Sequence, residues 1–173
     1  LSVEVRPLGP ADVEAAVALR REALTDAPLA FAASPEKDFG SDPASVRARL
    51  ADAPASLILG AFEGGRLVGV ASAFREPHRK RAHRTSLFGM YVTPSHRRRG
   101  VARRLLDAAI AHAEATGAAW LQLSVSSAAP GARRLYEQAG FEAWGHERDA
   151  LRDAGVRASE THMALALPRR ARA

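Results

Sequence analysis

The chain contains no cysteine, which excludes disulfides, thiol catalysis and cysteine-ligated metals while leaving any redox compartment open. Aromatic residues are scarce, at 6%, and none interleave the basic runs as a stacking platform for nucleic acid would require. No apolar run approaches the roughly 20 residues that span a bilayer, and the first residues lack the basic and apolar regions of a signal peptide. A cytosolic protein without a membrane partner is expected. Histidines and carboxylates nowhere take up a metal-ligand spacing. Lysine is nearly missing as well, with Lys37 and Lys80 the only two, so the formal charge of +6 comes almost entirely from arginine.

The arginines gather at Arg75 to Arg84, Arg97 to Arg104, Arg133-Arg134 and Arg169-Arg170, a distribution that favours an anionic ligand or partner. The 173 residues, 47% apolar and 25% charged, have the composition of one soluble domain. Without an internal repeat or linker, that domain is expected over residues 1–168, followed by a short basic tail, 169–173.

Hydrophobic periodicity places the elements. Ser2 to Arg6 alternates as a strand, and Pro10 opens a helical run with Val13, Val17 and Leu24 on one side. Ala27 to Asp42 reads as a loop able to cover a substrate site, with Phe31 available to the core. Pro43 starts a second helix carrying Val46 and Leu50. Leu57 to Phe62 and Leu67 to Phe74 flank the hairpin turn Glu63-Gly64-Gly65-Arg66. After a basic loop, Ser86 to Val92 makes a third central strand. A helix with Val101, Leu105, Leu106, Ala109 and Ala113 on its apolar face follows, ending at Gly117. Trp120 to Val125 is a strand, Gly131 to Gln138 a helix, and Phe141 to Glu147 and Thr161 to Leu167 two last strands.

Two segments carry chemistry. In Val92-Thr93-Pro94-Ser95-His96-Arg97-Arg98-Arg99-Gly100-Val101-Ala102 an apolar strand stops at a proline and restarts, after an arginine-rich turn, as a helix. The first turn of a helix has unpaired N–H groups and a partial positive charge. Gly100 and Ala102 would let a pyrophosphate approach the backbone, and the arginines add attraction. The second segment is Ala132-Arg133-Arg134-Leu135-Tyr136-Glu137-Gln138-Ala139-Gly140-Phe141, in which Ala132, Leu135 and Ala139 line one side of a helix and Gly140 ends it. Tyr136 stands out there, because a buried phenol needs a partner for its hydroxyl.

The first segment resembles the acyl-CoA signature of GNAT-type N-acetyltransferases, Val-x-Pro-x-x-Arg before an Arg-x-x-Gly-x-Gly/Ala turn. The second resembles the family's Ala-x-x-Leu-Tyr-x-x-x-Gly-Phe, and the order of elements agrees over nearly the whole chain. The resemblance implies an α/β single-domain GNAT fold: a mixed, mostly antiparallel twisted sheet of about seven strands, helices on both faces, and a splay between the fourth and fifth strands. It implies acetyl-CoA as cofactor, its arm lying between Met90-Tyr91-Val92 and Leu123-Ser124-Val125. The pyrophosphate would sit on the turn from Arg97 through Arg98, Arg99, Gly100, Val101 and Ala102 to Arg103. The Val92 N–H would polarise the thioester carbonyl, and Tyr136 would donate a proton to the departing thiolate. One departure is plain. Many relatives carry asparagine three residues before the alanine, where this chain has Ala129.

The base is open, since Ser86, Leu87, Phe88 and Gly89 supply no carboxylate where many relatives have glutamate. Glu36, Glu76, His78, His83, His162 and a water chain are the candidates, and each side chain taken singly reads more readily as a surface or packing residue than as a base. Two readings follow: an N-acetyltransferase acting on a primary amine of a small molecule or peptide, or an inactive GNAT-like binding module for an anionic partner. Tyr136, Gly100 and Ala102 favour the enzyme, and the low aromatic content disfavours nucleic acid. A basic surround suits an acceptor bearing carboxylate or phosphate and disfavours polyamines. Homodimers are frequent among relatives, but the chain itself carries no interface signal.

Overall fold

The computed structural model describes residues 2–168; the basic tail expected at 169–173 lies outside them. Eleven main elements follow in the order β1 (Glu4–Pro7), α1 (Val13–Asp26), α2 (Pro43–Ala51), β2 (Ser56–Glu63), β3 (Arg66–Arg75), β4 (Arg84–Val92), α3 (Val101–Ala115), β5 (Trp120–Ser126), α4 (Pro130–Gln138), β6 (Glu142–Asp153) and β7 (Val156–Ala166). The strands form one sheet in the order β1-β2-β3-β4-β5-β7-β6. All neighbours are antiparallel except β4 and β5. This is the expected mixed, mostly antiparallel GNAT sheet.

Local chemistry accounts for most element ends. Asp42 caps α2 by accepting the Ser45 N–H at 2.8 Å, with Pro43 pre-set for the first turn. Asp12 accepts the Gly9 N–H at 2.8 Å and the Arg6 guanidinium at 2.7 Å before α1. Those bonds hold its carboxyl down, at a pKa of about 2. The β2–β3 turn needs two left-handed residues, and Gly64 and Gly65 supply φ of 58° and 80°.

Two dry clusters sit on opposite faces of the sheet. Leu105, Leu106 and Ala109 of α3 pack with Val68, Leu121, Leu123 and Met163. Across the sheet, Val13, Val17 and Ala23 of α1 join Val46, Ile58, Phe62 and Tyr91. Glycine is needed at 69 because a Cβ there would lie 3.1 Å from Leu105 Cδ1 and 3.2 Å from the Tyr91 carbonyl oxygen, which lets α3 settle onto the sheet.

The largest departure from the sequence reading is the final hairpin. Strands expected to stop at Glu147 and to begin at Thr161 run on to Asp153 and back from Val156. A two-residue turn at Ala154 and Gly155, both with positive φ, joins them. The outer part of β6, Glu147 to Asp153, is polar apart from Ala150 and Leu151 and buries none of its residues, so no apolar period marks it as a strand.

Candidate active site

The parallel pairing of β4 with β5 covers only Arg84–Ser86 against Trp120–Gln122. Beyond Ser86 the two strands diverge, and this is the splay. A bulge sharpens it: three residues of β3, Val70 to Ser72, face four of β4, Phe88 to Tyr91, with Gly89 at φ 63°. Thr93 donates its N–H to the Val68 carbonyl at 3.0 Å on the β3 side. Successive amides along a strand point to opposite edges, so the Val92 N–H faces away from β3 and into the opening.

Immediately after, Gly100 (φ 77°) starts α3 with no side-chain cap. The first turn-closing bond runs from Arg104 N–H to the Gly100 carbonyl at 3.1 Å, so the N–H groups of Val101, Ala102 and Arg103 have no acceptor within the helix. The arginines around this turn are largely committed elsewhere. Arg97 donates to the Val92 carbonyl at 3.0 Å, pairs with Asp26 and lies over the Tyr91 ring. Tyr91 in turn donates to Glu22 or Asp26, 3.0 and 3.1 Å away. Its hydroxyl is pushed above its ordinary pKa by burial first and by Glu22 and Asp26 next. The Arg97 hydrogen bond holds the Asp26 carboxyl below the ordinary range. Arg99 pairs with Glu63 at 2.6 Å, and His96 approaches the same carboxylate at 2.9 Å. Arg103 pairs with Asp107 at 2.8 Å. Arg98, exposed and at φ 62°, makes no ion pair among the described residues. The turn therefore presents bare backbone amides, the uncapped end of a helix dipole and one uncommitted guanidinium, which suits a polyanion such as a pyrophosphate.

A cavity of about 650 Å³ opens from the splay onto the α1–α2 face of the sheet. Tyr136 of α4 reaches its wall and is buried, with its hydroxyl 3.7 Å from Met90 Sδ and its ring 5.7 Å from that of Phe141. Burial alone pushes its pKa up to about 12, so the phenol holds its proton at neutral pH. Met90, Ser124, Ala129, Ala132 and Tyr136 all line this cavity. The small side chain of Ala129 leaves room where many relatives carry asparagine.

The cavity also separates the candidate bases. Glu36, Glu76, His78 and His83 do not line it, whereas His162 does. His162 stands opposite Ser124 in the β5–β7 register, with Nδ1 2.7 Å from the Ser124 hydroxyl. Its Nε2 lies 3.6 Å from Glu147, and its ring stacks on Trp144 at 5.3 Å. Arg49, Arg84, Phe88, Trp144 and Glu160, also on the wall, were not singled out by the sequence reading. A signal existed: Gln122-x-Ser124-x-Ser126 and Glu160-x-His162 put polar side chains on one face of interior strands, where a closed core would be apolar.

A mixed seven-stranded sheet split between β4 and β5, with an uncapped helix starting beside the split, defines an acyl-CoA-type α/β fold. The sequence model of the Acetyltransferase (GNAT) family matches residues 18–141. The chain belongs to this family, whose acyl donor is acetyl-CoA. No curated protein matches the chain. Among solved structures it is similar to a GNAT-family acetyltransferase from Streptococcus pneumoniae, at 19% identity and TM-score 0.85, over 96% of this chain and 100% of that one. It is likewise similar to yncA from Salmonella typhimurium, solved with its cofactor acetyl-CoA, at 22% identity and TM-score 0.85, over 100% and 98%. A third is a GCN5-related N-acetyltransferase from Kribbella flavida, at 25% identity and TM-score 0.80, over 95% and 98%. Among the described residues, no helix is long and apolar enough to cross a membrane.

Proposed function

We propose that this protein is a cytoplasmic N-acetyltransferase that acetylates a primary amine of a small molecule or peptide by direct attack. The observation that carries the reading is the Tyr136 hydroxyl of the second motif 3.7 Å from Met90 Sδ, two residues before the first motif begins at Val92, with α3 starting uncapped where that motif ends. Bound acetyl-CoA supplies an acetyl thioester. Val101, Ala102 and Arg103 would offer it their N–H groups, Arg98 would add a cation, and Met90, Tyr91 and Ser124 would flank its arm. The Val92 N–H would donate to the acyl oxygen, and Tyr136, protonated through its burial, would hand a proton to the leaving sulfur.

His162 takes the acceptor's proton through the Ser124 hydroxyl, with Glu147 3.6 Å from its Nε2. Starting from the ammonium form, two protons would leave nitrogen as the C–N bond forms and the C–S bond breaks; one would restore the Tyr136 phenol that protonates the thiolate and one would pass to water. A binding module would need none of this, and retention of the Tyr136–Met90 contact at the opening of the splay favours the enzyme.

Calorimetric titration with acetyl-CoA tests the reading, with the Arg98→Ala/Gly100→Glu double variant as control. The wild type should bind and the variant should not, because a carboxylate then sits on the helix start. Failure of the wild type to bind at millimolar acetyl-CoA would overturn the proposal.

A further inference from the structure

Most arginines around the opening are answered by an acid: Arg20 by Asp38, Arg97 by Asp26, Arg99 by Glu63. Arg49 and Arg84 differ. Both are half-buried and line the cavity, yet neither makes an ion pair among the described residues. Arg49 reaches from α2 to lie over the Phe88 ring at 5.3 Å, while Arg84 meets only the His83 ring nitrogen at 3.3 Å. A guanidinium partly withdrawn from water and resting on an aromatic face keeps its outer N–H groups free, an arrangement suited to a carboxylate.

The other end of the same cavity has the opposite character. Glu160 and His162 lie on its wall, and Glu147 stands behind His162. Arg84 pairs with Trp120 in the sheet, and Ser124 lies four residues further along β5. At about 3.3 Å per residue that is roughly 13 Å between backbone positions, shortened by the reach of the arginine side chains. Between Arg84 and Ser124 the strands offer Ser86 and Gln122, hydrogen-bonded to each other at 3.3 Å, while Phe31, Phe88 and Trp144 supply apolar wall around them.

We propose that the acceptor is a short peptide with a free amino terminus and a free carboxylate, its amine held at Ser124, His162 and Glu160 and its carboxylate by Arg49 and Arg84. The inference rests on the acetyltransferase reading. An α-amino acid carries both groups on one carbon and leaves most of that span to the arginine side chains, whereas a dipeptide, at about 3.3–3.6 Å per residue, covers about half of it. A polyamine would place a cation among the arginines.

The test is calorimetry with N-acetyl-leucylphenylalanine, a product-like probe, against its C-terminal amide, on the wild type and on the Arg49→Gln and Arg84→Gln variants. The acid should bind at least about tenfold more tightly than the amide, as expected for a charge-assisted pair. Each variant should lose that preference. Equal binding of acid and amide by the wild type, or binding of neither, overturns the inference without any variant having to fold. Parallel titration with acetyl-CoA separates the two levels. Cofactor binding without acid preference removes only the acceptor assignment; acid preference without cofactor binding removes the acetyltransferase reading and leaves a two-pole site.

Discussion

The two sides of the splay are built from different materials. On the cofactor side, the groups facing the opening are mainly backbone: the Val92 amide and the first N–H groups of α3, with Arg97, Arg99 and Arg103 tied to acids of the protein itself. On the acceptor side they are side chains, His162, Glu160, Arg49 and Arg84. Backbone geometry is set by turn and cap chemistry, so it survives many substitutions. A site made of side chains is lost one residue at a time. A count of arginines in the sequence misleads for the same reason, since charge on offer depends on which carboxylates already answer it.

The strongest challenge to this contrast is His162→Ala. If His162 is the base, kcat/KM should fall about a hundredfold, the lower range for removal of a general base, with acetyl-CoA affinity unchanged. His162 also stacks on Trp144, so loss of rate alone would not separate proton transfer from packing. Ser124→Ala does: it cuts the route to His162 and leaves the Trp144 stack in place, so kcat/KM should fall there too. A rate unchanged in Ser124→Ala would assign the proton to water, and the acceptor side would be less dependent on side chains than its lining implies.

What could be read in advance follows the same division. The α3 turn and the α4 segment from Ala132 to Phe141 were legible because glycine at a positive φ, proline at a helix start and an apolar stripe are local signals. The identity of the arginines' partners was not. Asp26 lies 71 positions before Arg97 and Glu63 lies 36 before Arg99, and only the packed sheet brings them together. The bulge at Gly89 was not read either: a glycine inside a strand is its usual sign, but the extra residue is defined only once β3 is laid beside it. His162 could be nominated from sequence but not chosen over His78 or His83, since its distinction is the cross-strand contact with Ser124 at 2.7 Å.

Tyr136 belongs to both sides of the comparison, being a side chain set by a legible motif. Its pKa, raised by burial from 10.0 to about 12, makes its contribution to stability depend on pH. Between those values the unfolded chain loses the phenolic proton before the folded one does, so folding binds more protons and stability falls as pH rises. The contribution is fully present below pH 10 and fades toward pH 12 at about 1.4 kcal/mol per pH unit. Chemical denaturation of the wild type and Tyr136→Phe over this range should show their stability difference changing with that slope, because other titrations cancel. A constant difference would mean that the phenol is hydrated and that the opening admits water at Met90.

The smallest effect should come from Arg99→Ala, and it bears on the comparison most directly. Arg99 sits in the phosphate-binding signature, where sequence alone makes it a cofactor contact. Its guanidinium is instead 2.6 Å from Glu63, a carboxylate also approached by His96. The Glu63 carboxyl is held below its ordinary range first by Arg99 and then by His96, so His96 remains as a partner when Arg99 is removed. An ion pair at the surface contributes little to stability, and acetyl-CoA affinity should change by less than about threefold if the backbone amides do most of the holding, well short of tenfold. A tenfold loss of affinity would show that Arg99 leaves Glu63 for the incoming phosphate. The cofactor side would then also be a side-chain site, with Glu63 and His96 as the resting dock of a mobile cation.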